Sequence, residues 1–285
     1  MYVQLDKIRL HYHVVGEGRP ILFLHGLVGI SNGMMEIFEP IFENLSGWKR
    51  YYLDSPGNGD SEAPDWIHSS DQVLDVVEQF ITKVIGDDSF CLVGYSFGGY
   101  LSLGLATRQP NKIDGLLLLC PLIEPDESKR HKPHAMIRKI DVDLYSSLEP
   151  QMKESIRTGV AGIPVVEKEV LKRGELIYNP AFEIANMAFL ERIKSGNYSF
   201  SFDIFQMPVF EKPTLILTGA QDNSVGYRDA WKIKDKFLKT SFVLLDAAGH
   251  GLPLDQSVLF DMFVHEWIDR IIQDEKIIGL DFSEL

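Results

Sequence analysis

The sequence predicts an α/β protein: a mostly parallel, eight-stranded sheet flanked by helices, with a helical cap inserted after strand 6. Three observations predict it. Continuous apolar runs at 21–24, 51–53, 90–93, 116–119, 214–217 and 242–245 have the composition of parallel strands covered on both faces. Segments of helical period lie between them, among them Val73, Leu74, Val76, Val77, Phe80, Ile81 and Val84, then Leu101, Leu103, Leu105 and Ala106. Alternation of this kind builds a parallel sheet wrapped on both sides, and its failure between 121 and 207 marks an insertion.

Taken in order, the segments 2–5 and 8–15 are rich in Val, Ile and Tyr and end at Gly16-Glu17-Gly18, as an antiparallel pair at a sheet edge would. The parallel strands follow from Pro20. The insertion opens with a charged run at 124–132 and reads as several short helices broken at Pro133, Pro150, Gly159, Pro164, Gly174 and Pro180. The sheet resumes at Pro213, and Val258, Leu259, Met262, Phe263, Trp267 and Ile268 predict a closing helix. The expected organisation is a core of residues 1–120 and 208–285, a cap of residues 121–207, and a loose tail at 279–285.

Composition bounds the function. With 45% hydrophobic and 24% charged residues among 285, the chain has enough apolar material for a sizeable interior. A formal charge of -13 disfavours nucleic acid and anionic lipid, which both need concentrated positive surface. No apolar stretch is long enough to span a bilayer, and residues 1–6 lack a basic-then-apolar leader pattern, so a cytoplasmic protein acting on a small molecule is expected. Oligomeric state is not legible. Cys91 opens one apolar run and Cys120 closes the next, which puts them on the order of 13 Å apart in neighbouring strands. A disulfide needs Cα atoms within roughly 7 Å, so both are expected as reduced core residues, neither metal ligands nor nucleophiles.

The chemistry concentrates in Gly94-Tyr95-Ser96-Phe97-Gly98, a G-x-S-x-G between an apolar strand and a helical pattern. A serine on so tight a turn takes strained backbone angles, and its neighbours must be small because strand and helix approach closely. No Lys follows as a phosphate loop would require. Serine at its free pKa is a feeble nucleophile and needs a base oriented by a third group. His250, in Ala248-Gly249-His250-Gly251 just beyond a strand, fits best, because catalytic groups gather at the carboxyl ends of parallel strands. His25-Gly26 also follows a strand and is expected to shape the loop facing the reacting carbonyl. The other six histidines are expected to be solvent-facing or structural.

These segments resemble the α/β-hydrolase superfamily, in particular its lid-bearing, esterase-like serine hydrolases. The resemblance rests on His25-Gly26, on 54–61 (DSPGNGDS) as D-x-P-G-x-G-x-S, on the elbow at Ser96, on Gly219-Ala220-Gln221-Asp222 and on Gly249-His250, all in the family's order. It implies a catalytic triad of Ser96, Asp222 and His250, and an oxyanion hole from the backbone N–H groups of Leu27 and Phe97. Relatives that place the acid one strand earlier leave Glu124 and Asp126 as alternatives, and Asp246 is a third. Gly226 stands where the family commonly has Pro, and Asp255 where a Glu often follows the histidine. No cofactor or metal is implied: the acidic 54–61 loop lacks the ligand spacing and terminal Glu of a calcium loop.

The reaction so implied is two-step hydrolysis of a small, apolar ester-type substrate. Phe182, Met187, Phe189, Phe200, Phe202, Phe205 and Met207 are candidates to bring apolar surface near the site, and Glu183 and Glu191 to bind an amine as in the similar proline iminopeptidases. Carbon–carbon bond, lactone or proline-amide hydrolysis on the same triad is the alternative, and a hydrolase-like ligand receptor with little turnover is one of another class.

Overall fold

A computed structural model describes residues 1–278; the expected tail at 279–285 lies outside the described residues. The chain opens with β1 (Tyr2–Gln4), β2 (Arg9–Val15) and β3 (Arg19–Leu24), then α1 (Ser31–Phe42) and β4 (Trp48–Leu53). There follow α2 (Ser70–Phe80), β5 (Phe90–Tyr95), α3 (Phe97–Arg108) and β6 (Ile113–Leu119). Beyond β6 come β7 (Lys139–Ile140), α4 (Val142–Ser147), α5 (Pro150–Arg157), β8 (Val165–Val166), α6 (Lys168–Ile184) and α7 (Met187–Ser195). The sheet resumes with β9 (Thr214–Gly219), α8 (Tyr227–Ile233) and β10 (Thr240–Leu245), before α9 (Leu252–Asp255) and α10 (Ser257–Ile278).

Eight strands form one sheet in the order β1-β2-β4-β3-β5-β6-β9-β10, antiparallel at β1-β2 and β2-β4 and parallel elsewhere. The chain leaves β3 toward β4 on one side and leaves β5 toward β6 on the other. The loops after these neighbouring strands therefore diverge, and a crevice opens at their carboxyl ends.

Successive residues of each strand point to opposite faces. Leu22, Leu24, Leu92, Leu116 and Leu118 meet α2 and α3 on one face, while Ile21, Phe23, Val93, Leu117 and Leu119 meet α1 and α10 on the other. Helix α3 is buried throughout from Phe97 to Ala106, so it lies inside the protein and shows no polar stripe. The run at 242–245 departs from the expectation of two covered faces: β10 is an edge strand, only partly buried, with Leu244 43% exposed.

Between β6 and β9 the expected helix breaks hold only in part. Pro150 starts α5, where its missing N–H is one the first turn leaves unpaired anyway. Gly174 and Pro180, by contrast, lie within the 17-residue α6. Ile177 and Ala181 are buried under that helix, with Ile177 Cγ2 3.4 Å from the point where a Cβ on Gly33 of α1 would lie. Packing against α1 thus outweighs the local cost of the proline. The short pair β7-β8 had no sequence signal.

Candidate active site

One residue separates β5 from α3, and it is Ser96, with φ 56° and ψ −115°. Among the described residues only Ser96 and Cys120 are non-glycines with positive φ. Left-handed backbone of this kind costs an L-residue about 1–3 kcal/mol and persists only where the surroundings impose it. Here the Ser96 amide donates to Leu119 O (3.0 Å) and its carbonyl accepts from Leu122 N (3.0 Å) and Tyr100 N (3.2 Å). The motif glycines are sterically required: a Cβ on Gly98 would lie 2.1 Å from Leu24 O, and one on Gly94 would lie 2.4 Å from Gly98 O. From Phe90 to Ala106 every residue is buried except Ser96. The chain spends backbone strain to present one hydroxyl.

The loop after β3 closes on that hydroxyl, with a Cβ on Gly26 falling 3.4 Å from Ser96 Cβ. Leu27 follows and is half-buried, and Phe97 is the first residue of α3, so its amide precedes the helix's first i→i−4 bond, which runs from Tyr100 to Ser96. His25 organises this loop: Nε2 accepts from Ser55 N (3.0 Å), which leaves Nδ1 to donate to Gly26 O (2.6 Å). Burial lowers its pKa, and both ring nitrogens are taken by backbone. Asp54 knits the neighbouring turn, accepting from Ser31 N (2.6 Å), His11 Nδ1 (2.8 Å) and Asp60 N (3.3 Å), while Gly59 passes so close that a Cβ would meet its carboxylate at 2.2 Å. Those oxygens are occupied by the fold, as a structural loop requires.

The loops after β9 and β10 are zipped together by Ala220 N to Leu245 O (2.9 Å) and Gln221 N to Ala248 O (2.9 Å). This places Asp222 Oδ2 2.9 Å from His250 Nδ1. Asp222 Oδ1 accepts from Ser224 N (2.9 Å) and Val225 N (3.1 Å). Burial pushes this 1%-exposed carboxyl up, but His250 and the two amides outweigh it and hold its pKa below the usual value. The other candidate acids are engaged elsewhere. Glu124 accepts from Asp126 N (2.9 Å), Asp126 caps its own turn through Ser128 N (3.0 Å), and Asp246 pairs with Arg138 (3.1 Å) at the surface.

Three groups that sequence reasoning did not assign to the site surround His250. Tyr95 Oη donates to His250 O (2.8 Å) and lies 3.2 Å from Tyr178 Oη of α6, a contact between distant segments with no local signature. Asp255, noted in sequence only as a departure from the family pattern, accepts from Gly249 N (2.8 Å). Cys120, expected only as core, lies with its Sγ, an Asp222 oxygen and a His250 ring nitrogen all within 4.8 Å of one another. Its position just past β6 was a usable signal, since the strand-end rule that favoured His250 applies to it equally. These three ligand types could in principle hold a cation. Asp222 and His250 are already bonded to each other, and burial raises the thiol well above its usual pKa, so a metal would have to displace both arrangements.

A cavity of about 370 Å³ opens beside His250, lined by Leu148, Met152, Ile163, Leu171 and Tyr178 from the segment between β6 and β9, and by Asp255. The aromatic and methionine residues expected there lie elsewhere: Phe182 and Met187 are exposed, Phe189, Phe200 and Met207 are buried in the core beside α3, and Phe202 and Phe205 pack against that core. Glu183 and Glu191 face solvent outside the cavity, which removes the amine-binding role considered for them. Hydrophobic period in a cap cannot tell a residue that seats the cap from one that faces its cavity.

Burial, only partly offset by the Gly249 amide and reinforced by the charge of Asp222, pushes the Asp255 carboxyl up to about 7. Between its ordinary 3.8 and about 7 the folded state binds more protons than the unfolded one, so stability contributed here falls as pH rises. Asp255→Asn removes that slope while still offering Gly249 an acceptor. In chemical denaturation the variant is expected to gain on wild type from pH 5 to pH 8, by a few kcal/mol at most at about 1.4 kcal/mol per pKa unit. Parallel stability curves for the two proteins would show that Asp255 does not titrate in this range.

Comparison with known proteins agrees with the fold. The family described as alpha/beta hydrolase fold matches residues 19–147. A solved alpha/beta superfamily hydrolase from Oenococcus oeni superposes with a TM-score of 0.83 at 28% identity, covering 95% of this chain and 99% of that one. A pimeloyl-[acyl-carrier protein] methyl ester esterase of Shewanella woodyi is 22% identical over 92% of this chain and 98% of its own length. An sn-1-specific diacylglycerol lipase of Danio rerio is 26% identical over 90% of this chain and 81% of its own. The chain has the α/β-hydrolase fold and is similar to members of that superfamily. It is an α/β-fold hydrolase, and no helix among the described residues is long and apolar enough to cross a membrane.

Proposed function

We propose that the protein is a carboxylesterase-like serine hydrolase that cleaves a small, apolar ester through an acyl-enzyme on Ser96. The observation that carries this reading is Ser96, strained and partly exposed at the carboxyl end of β5 in a molecule that also joins Asp222 to His250. In the proposed mechanism His250 takes the Ser96 proton as the hydroxyl attacks the ester carbonyl, and Asp222 holds the ring and favours its charged form without becoming protonated. The amides of Leu27 and Phe97 receive the developing oxyanion. His250 then protonates the leaving alcohol, and water repeats the sequence on the acyl-enzyme. Residues 1–120 and 208–285 serve as catalytic core and 121–207 as cap, whose apolar cavity beside His250 suits an alkyl group. Relatives named for ester substrates support the same class.

A fluorophosphonate probe followed by a panel of p-nitrophenyl esters, lactones and proline amides tests the proposal. Stoichiometric labelling of Ser96 with fastest turnover on alkyl esters is expected. Folded protein that resists the probe would sink the nucleophile assignment, and labelling with only a few turnovers on activated esters would favour a receptor.

A further inference from the structure

We propose that Cys120 is a positioning residue whose thiol holds the Asp222 carboxylate against His250. The inference rests on the reading of Ser96, Asp222 and His250 as nucleophile, acid and base.

The placement begins in the sheet. Leu119, the last residue of β6, is paired with Tyr95 of β5 on one side and Leu217 of β9 on the other. The peptide joining Leu119 to Cys120 therefore bridges the elbow and the strand that leads to the acid. Its carbonyl accepts from Ser96 N (3.0 Å), and its N–H donates to Leu217 O (2.8 Å). Cys120 itself has φ 41°, and the other described non-glycine with positive φ is Ser96. Strain retained at an over-determined position is a reason to look for function there.

That backbone turn aims a 1%-exposed thiol at the acid–base pair, within 4.8 Å of both and 3.8 Å from Gly249 O. The thiol has one hydrogen: its hydrogen bond runs to Gly249 O at 3.8 Å, and the Asp222 carboxylate, within 4.8 Å, is the competing acceptor. The carboxylate is the stronger of them, because a charged acceptor roughly doubles a hydrogen bond. Burial, with the charge of Asp222 next, keeps the thiol protonated, so it acts as a donor and not as a second nucleophile. A fourth donor beside the Ser224 and Val225 amides and His250 Nδ1 restricts how the carboxylate turns, and a carboxylate has lone pairs enough to accept it.

Three variants separate the thiol from the backbone: Cys120→Ala deletes the donor and keeps the strain, Cys120→Gly deletes both, and Cys120→Ser restores a donor. With p-nitrophenyl acetate, Cys120→Ala and Cys120→Gly are each expected to lose about tenfold in kcat with KM held within about twofold, the size of one hydrogen bond to a charged group, and Cys120→Ser to recover most of it. The acidic limb of the kcat/KM profile should move to higher pH in the first two, because a carboxylate relieved of a donor holds an imidazolium more tightly. The low-field proton resonance of the Asp222–His250 bond, read without substrate, should shift or broaden in the same variants.

Wild-type kcat and pH profile in Cys120→Ala would overturn the proposal. So would full activity in Cys120→Gly alone, since that assigns the effect to strain. Failure of the underlying reading looks different: wild-type Ser96 would not label with fluorophosphonate, whereas labelled wild type with an unaffected Cys120→Ala refutes only the thiol's part.

Discussion

Ser96→Ala is expected to lower kcat on p-nitrophenyl acetate by on the order of 10⁴- to 10⁶-fold, while the melting temperature stays at or above that of wild type. In the proposed mechanism removing the hydroxyl abolishes the acyl-enzyme itself, so the loss should equal that of a variant also lacking His250. Any residual rate would then come from water attacking a carbonyl still polarised by the amides proposed as the oxyanion hole. Stability should not suffer, because alanine retains the Cβ and removes only the oxygen of a partly exposed side chain from a turn that backbone bonds with Leu119, Tyr100 and Leu122 already define. The pre-steady-state burst of p-nitrophenol and the fluorophosphonate adduct should vanish together. A variant that keeps a tenth of wild-type kcat would show that another group attacks the ester.

Asp222→Asn is expected to lose about 10⁴-fold in kcat, with Glu124→Gln and Asp126→Asn within twofold of wild type. The reason is the tautomer. Asp222 accepts from His250 Nδ1 across 2.9 Å, which leaves Nε2 unprotonated and able to take a proton. The asparagine can keep the Ser224 and Val225 amides on its oxygen, which turns its NH₂ toward Nδ1. The ring then carries its hydrogen on Nε2 and cannot act as base. Packing is nearly unchanged, so thermal unfolding should stay close to wild type while a pH–rate profile collapses. Normal activity in this variant, with loss in either of the others, would move the acid to the loop after β6.

Residues 21–24, 90–93 and 116–119 each carry enough apolar character to specify a doubly covered strand without any knowledge of neighbours. Gly94-Tyr95-Ser96-Phe97-Gly98 likewise signals its own turn, because a Cβ on Gly94 would lie only 2.4 Å from the Gly98 carbonyl oxygen within the same motif. Where the determinant is a neighbour distant in sequence, legibility fails. Pro180 reads as a helix end, yet α6 continues through it because Ile177 and Ala181 find a buried seat, Ile177 against α1. Phe189 and Phe200 read as cap apolars and are drawn into the main core.

The sequence by itself therefore determined the sheet, the elbow at Ser96 and the chain order of the groups proposed as nucleophile, acid and base, since strand composition and turn sterics act over a few residues. Only the tertiary structure decided which carboxylate meets His250, which residues between β6 and β9 line the cavity, and that Cys120 belongs beside Asp222. Hydrogen bonds and desolvation act across 3 to 4 Å of space between residues far apart in sequence, such as the 28 positions from Asp222 to His250 or the 155 from Tyr95 to His250. Linear spacing alone does not encode those distances.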